Sequence, residues 1–214
     1  MAALRVILEV GPKRRVVAGA TDWPGLERAA ASEEAALEKL LAYHPRYTAV
    51  AARAGMTDAF AAATEIEVVE RTPGSSSTDF WGIAHVPSLF EFQPLADTEL
   101  ERRLTLLQAA WTWFDETGER VSAELRPGSR GGGRTREEIV RHVAHSENHV
   151  MTPKVGVRTE RDLLFTPAGL AQHRANVLDA IRGYHAAGKQ ARRWPLAFLI
   201  RRMGQHLLDH GWEL

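Results

Sequence analysis

The stretch TELERRLTLLQAAWTWFDETGERV (98–121) sets the character of the chain. Leu100, Leu104, Leu107, Trp111, Phe114 and Val121 recur at steps of three, four or seven, one apolar stripe of an α-helix. Trp111 fits that stripe and Trp113 does not, so Trp113 is expected at an edge or in an interface between copies of the chain. Three more helical segments follow. Beyond RPGSRGGGR (126–134), rich in breakers, Thr135 and Glu138 match a capping box, and the second helix is predicted from Arg136 to Thr152, stopping before Pro153. Thr166-Pro167 opens a third, with Leu170, Val177, Ile181 and Tyr184 on one face and Gly188 at its end. Trp194-Pro195 opens a fourth, carrying Leu199, Met203 and Leu207. Four amphipathic segments predict an up-and-down four-helix bundle over 98–214, with a longer link at about 153–165.

Upstream the pattern changes. Val6 to Val10 and Arg15 to Ala18 are β-branched runs joined by a Gly11-Pro12-Lys13 turn. After a second turn, Asp22-Trp23-Pro24-Gly25, Ser32 caps a helix that Pro45 is expected to end, and Ala49 to Ala54 form another short helix. Glu65 to Glu70 alternate polar and apolar as a half-exposed strand does, residues 72–78 read as a loop, and Asp79 to Val86 as extended or irregular. The expected fold class is therefore α+β: a small mixed α/β module over 1–92, then the helical part over 98–214. The boundary lies between Val86 and Thr98, where Phe90 and Phe92 call for cover.

Composition narrows the function. With 27 basic and 27 acidic residues, the chain has no global pull toward nucleic acid or an anionic membrane. No apolar run reaches the roughly 18 residues of a membrane span, and the first residues lack a signal-peptide pattern, so the expected setting is cytoplasmic. With no cysteine there is no disulfide, no thiolate ligand and no protein thiol nucleophile. A metal must be held by His, Asp or Glu, and thiol chemistry would need a small-molecule thiol. No phosphate loop, Ser-His-Asp order or dinucleotide fingerprint is present. Arg126, Arg130, Arg134, Arg136, Arg192, Arg193, Arg201 and Arg202 read as a solvated loop and an exposed helix face, or else gather near one bundle end to receive an anionic substrate.

Of nine histidines, most lie beyond residue 141. His206 and His210 continue the Leu199-Met203 stripe one turn apart, which sets their imidazoles side by side. They can share a metal ion, or cap the core as hydrogen-bonded, half-buried groups. On the second helix His142, His145 and His149 share a face, and any of them can complete a three-histidine site; His145 and His149 are themselves an HxxxH pair. Three protein ligands leave an open position, as in catalytic rather than structural zinc sites, and imidazole suits nickel equally.

The segments HVAHSE (142–147) and QHLLDHGWEL (205–214) resemble the two metal motifs of the DinB/YfiT-like superfamily. These four-helix bundles include bacillithiol transferases and mycothiol-dependent maleylpyruvate isomerases. The resemblance covers about 98–214. It implies one histidine on the second helix and an HxxxH on the fourth, hence His142, His206 and His210 as metal ligands. Glu147 and Asp209 match no ligand position. It also implies a divalent ion, zinc or nickel, a small-molecule substrate with a low-molecular-weight thiol as co-substrate, a thiol-dependent S-transferase or hydrolase-like activity, and a homodimer. The competing expectation is a non-catalytic interaction or regulatory protein with a vestigial or structural histidine cluster. Only four residues follow His210, so the site depends on how firmly that helix end packs. The first part, with its strands, DWPG turn (22–25) and SEEAALEKLL helix (32–41), resembles the HicB-type antitoxin fold, from which no RNA-related function is taken.

Overall fold

The computed structural model describes residues 3–125 and 133–214, so Arg126, Arg130 and most of the glycine loop lie outside the described residues. The fold is α+β. Strands β1 (Ala3–Val10), β2 (Val16–Ala20) and β3 (Glu27–Ala30) precede helices α1 (Glu33–Arg53) and α2 (Thr57–Ala61), then β4 (Glu65–Pro73) and α3 (Ser76–Trp81). Beyond them lie α4 (Asp97–Arg120), α5 (Arg136–Ser146), the short α6 (Arg161–Leu164), α7 (Pro167–Ala186) and α8 (Leu196–Glu213).

The sheet has the order β3-β2-β1-β4, with β1 antiparallel to β2 and parallel to β4. Val6 faces Ala20 on one side and Val68 on the other, and a bulge follows it on the β4 side. Leu4, Val6, Leu8, Val16, Ala18 and Ala20 bury one face in a cluster with Leu40, Tyr47, Val50 and Ala51 of α1. The expectation that Pro45 ends this helix is corrected: α1 runs through it, and Ala49 to Ala54 is its continuation. Buried residues on both sides of the proline outweigh its lost hydrogen bond, a cost of about 3 kcal/mol; the Tyr47 hydroxyl also donates to the carbonyl of Pro24 at 3.0 Å. The segment read as extended after Asp79 instead begins as helix. Ser75 and Thr78 close a capping box on α3, and Asp79 accepts from the amides of Lys13, Arg14 and Arg15.

The other face of the sheet is covered by α8 and the segment leading to α4. Val17 packs with Ala84 and Phe198, and a Cβ on Gly19 would lie 3.0 Å from an Arg201 nitrogen. Helix α4 packs on both α1 and α8. That double cover corrects the placing of Trp113 at an edge: like Trp111 it is buried, edge-on to Trp212, and the missing side chain of Gly211 makes its room. The buried side chains of the two parts form one continuous cluster. In the connector, Phe90 is half-buried beneath the Arg5 guanidinium, whereas Phe92 stays exposed.

Ion pairs give the helix directions. Arg182 with Glu101, and Arg174 with Asp115, set α7 antiparallel to α4. Trp113 beside Gly211, and Ala96 lining one cavity with Ala197, set α8 parallel to α4. Arg134 meets Glu213 and His142 meets His206, so α5 runs against α8. The order is up, down, down, up rather than the alternation expected from short links. Residues 147–166, with α6 among them, carry the chain back to the starting end between α5 and α7. The second helix also stops early, at Ser146, and becomes a π-helical turn, Glu147–Met151, then a 3-10 turn that contains Pro153. The π turn swings Glu147 and Asn148 inward, where Glu147 accepts from Trp111 Nε1 at 2.9 Å and Asn148 exchanges two bonds with Thr159. Among the described residues no helix is long and apolar enough to cross a membrane.

Candidate metal centre

Helix α8 carries two of the three expected ligands, so its anchorage decides their position. Arg201, buried, donates to Glu27 of β3 at 2.6 Å and to Glu91 at 2.7 and 3.2 Å. One turn on, Gly204 lies against the Pro24-Gly25 turn so closely that a Cβ would sit 2.9 Å from the Pro24 carbonyl oxygen. Arg28, flat between the rings of Tyr43 and Trp212, donates to Asp209 at 2.5 Å. These contacts correct the arginine reading: Arg201 and Arg202 are buried structural groups rather than an exposed face. Arg136 donates to the Val121 carbonyl, Arg192 and Arg193 are exposed in the turn before α8, and Arg134 pairs with Glu213. The arginines among the described residues do not converge on an anion site. The same contacts hold the end of α8, where Trp212 packs edge-on to Tyr43 and the Leu214 amide donates to the His210 carbonyl at 3.2 Å.

On this fixed helix His206 and His210 turn toward α5, and His142 meets them. One ring nitrogen from each lies within 4.8 Å of the others, and Nε2 of His142 and Nε2 of His206 are 3.3 Å apart. Two donors on a tetrahedral ion, each at about 2.0–2.1 Å, stand about 3.3 Å from one another. That pair already has the spacing, and His210 stands beside it, its ring centroid 4.8 Å from that of His142 and 4.6 Å from that of His206. His142 is the most open of the three. Burial, reinforced by the neighbouring imidazoles and by Arg202 and Arg134, pushes the His206 pKa down to about 3. Burial, with His210 and Arg134 beside it, lowers that of His142 too. Neutral imidazoles are what a metal ion requires.

The rival histidines lie elsewhere. His145 and His149 are exposed and stacked on one another, centroids 4.0 Å apart, with His149 Nδ1 at 3.0 Å from the His145 carbonyl. Of the three candidates on the second helix, the structure brings His142 to the pair on α8. Among the described residues no other group of three histidine or acidic side chains draws this close.

Two neighbours went unread in the sequence. Glu213, one turn beyond His210, lies 2.8 Å from its Nδ1 and is gripped by Arg134; its signal was the i, i+3 spacing of Glu213 from His210. Glu147, set aside as a ligand, is a buried acid whose free oxygen lies 3.7 Å from Nε2 of the buried His173. Burial raises the Glu147 pKa and lowers that of His173 to about 4, and the bond from Trp111 ties the turn after α5 to α4. No known protein family, curated protein or solved structure matches the chain.

Proposed function

We propose that the protein is a divalent-metal-dependent enzyme of the DinB-like type that joins a low-molecular-weight thiol to a small electrophile, with His142, His206 and His210 as ligands of zinc or nickel. The observation that carries this reading is the convergence of three imidazoles from two antiparallel helices, two of their nitrogens already 3.3 Å apart. The helix order up, down, down, up, with its long link before α7, supports the bundle part of the reading. Bound there, a divalent ion would supply the Lewis acidity that lowers the pKa of a thiol or of water. The chain's part is to present donors that carry no charge, which leaves the ion its full acidity; a carboxylate ligand would blunt it. Because the chain has no cysteine, the thiol is a second small molecule.

Metal analysis after exposure to Zn²⁺ or Ni²⁺, followed by assay of thiol consumption with an aryl halide, tests the reading. About one ion per chain, and turnover that is lost on chelation and restored by metal, is the expected result. A protein that takes up no ion, even after soaking, is instead an interaction module with a structural histidine cluster.

A further inference from the structure

We infer that Glu213, held by Arg134, is the positioning residue of the site: it fixes His210 as the Nδ1–H tautomer and so leaves its Nε2 lone pair for a ligand bond beside His142 and His206. This rests on the metal reading above but concerns a proton that is present without any metal. Glu213 Oε2 lies 2.8 Å from His210 Nδ1. A carboxylate oxygen and a bare imidazole nitrogen both offer lone pairs and repel at that distance, so Nδ1 carries the hydrogen and donates it. In a neutral ring the hydrogen-free nitrogen is then Nε2, the one left for a ligand bond. The carboxylate also raises the electron density of the imidazole it accepts from, as acids behind ligating histidines do.

Glu213 does not find this position by chance. Arg134, two residues before α5, donates from Nε to Oε1 at 3.1 Å and from its NH2 group to Oε2 at 2.5 Å, a two-pronged grip on both oxygens. The same NH2 group lies 3.1 Å from His210 Nδ1, but its shorter, charge-assisted bond is to Oε2, so guanidinium and imidazole both donate to the one carboxylate. The clasp therefore reaches from the start of the helix that supplies His142 to the end of the helix that supplies His206 and His210. It stands beside the ligands and fills no coordination position.

Nitrogen-15 spectra of the imidazoles in metal-free protein, with Zn²⁺ titrations of the same samples, test this. The wild type is expected to show His210 as Nδ1–H. Glu213→Ala should shift it toward Nε2–H, the form an imidazole prefers in water, and weaken Zn²⁺ about 10- to 100-fold. Glu213→Gln, whose amide oxygen still accepts, should keep the tautomer and recover most of the affinity; a merely structural side chain would not give that rescue. Arg134→Ala should fall between the two. An Nε2–H form in the wild type, or a Glu213→Ala variant with unchanged tautomer and affinity, overturns the inference. An Nδ1–H signal that depends on Glu213, in a protein that binds no Zn²⁺, would uphold the clasp and remove the metal reading instead.

Discussion

The two halves of α8 treat polar groups in opposite ways. In the first half Arg201 is surrounded by acceptors: its nitrogens meet Glu27 and Glu91, and those carboxylates are in turn filled by the amides of Ala84 and Ser88. In the second half His206 and His210 crowd against His142 of α5, with Nε2 of His206 and of His142 3.3 Å apart and no acid between them. A closed set of charges fixes the helix against the sheet. A convergent set of ring nitrogens, held still by that anchorage, is the arrangement the proposed metal site requires. The difference teaches that burial of charge alone marks nothing here; what separates structure from site is whether each polar atom already has its complement.

The largest effect should come from opening the closed half. Arg201→Leu leaves two buried carboxylates without their cation and is expected to cost about 3–5 kcal/mol, read as a fall in urea midpoint. A loss under about 1 kcal/mol would mean that the pair is not what holds α8 to the sheet. Acid provides the second probe. His173 has a folded pKa of about 4 against an unfolded 6.5, so the unfolded chain takes the proton first. Its contribution is complete above pH 6.5 and is lost as pH falls toward 4, about 3 kcal/mol in all. Glu147 works the other way: with its folded pKa raised above 4.5, its neutral form favours the fold at low pH, and that gain fades as pH rises through the folded value. His173→Asn, which keeps a partner for Thr159, should flatten the acid limb of a stability–pH curve; an unchanged limb would assign it to other groups.

The open half should respond in affinity rather than stability. His206→Ala or His210→Ala is expected to weaken Zn²⁺ by more than about 100-fold, while the metal-free midpoint moves by less than about 1 kcal/mol. Full metal occupancy in either variant would remove the site, and outright unfolding would make the histidines core groups like those of the first half. The smallest effect belongs to the stacked pair that faces solvent: His145→Ala and His149→Ala should change Zn²⁺ affinity by no more than about twofold. A loss confined to His149→Ala would mean that α5 presents a different residue to the metal.

How far the sequence carries the reader follows the range of the interactions. Local ones were legible: the Ser32 cap, the Thr135–Glu138 capping box, the Thr166-Pro167 helix start and the HxxxH spacing on α8 all depend on neighbours within four residues. Strand β3 was missed because Glu27-Arg28-Ala29-Ala30 has no β-branched residue; its backbone pairs antiparallel with β2, and its Glu27 is held by Arg201, 174 residues away. Arg201 and Arg202 read as surface for the same reason, since charge signals exposure until its distant partner is known. Pro45 was read by its own preference, which the packing of α1 overrode. His142 could be named through family resemblance, but its meeting with His206 depends on α5 running against α8, a property of the whole chain path.

That 174-residue separation also sets a clock. Closing so long a loop is entropically costly, and chains whose key contacts are remote fold slowly. Sheet, α1 and α4 can gather early through nearer contacts, leaving α8 to seat late, with Arg201 entering between Glu27 and Glu91. Bonds made after the rate-limiting barrier govern how fast the molecule comes apart more than how fast it forms. Loosening Arg201 should therefore shorten the lifetime of the folded state while leaving refolding times nearly unchanged. Because His206 and His210 travel on the same helix, a refolding chain brings the three imidazoles together only at that final docking, so the proposed uptake of an ion would keep the time of the last step rather than the first.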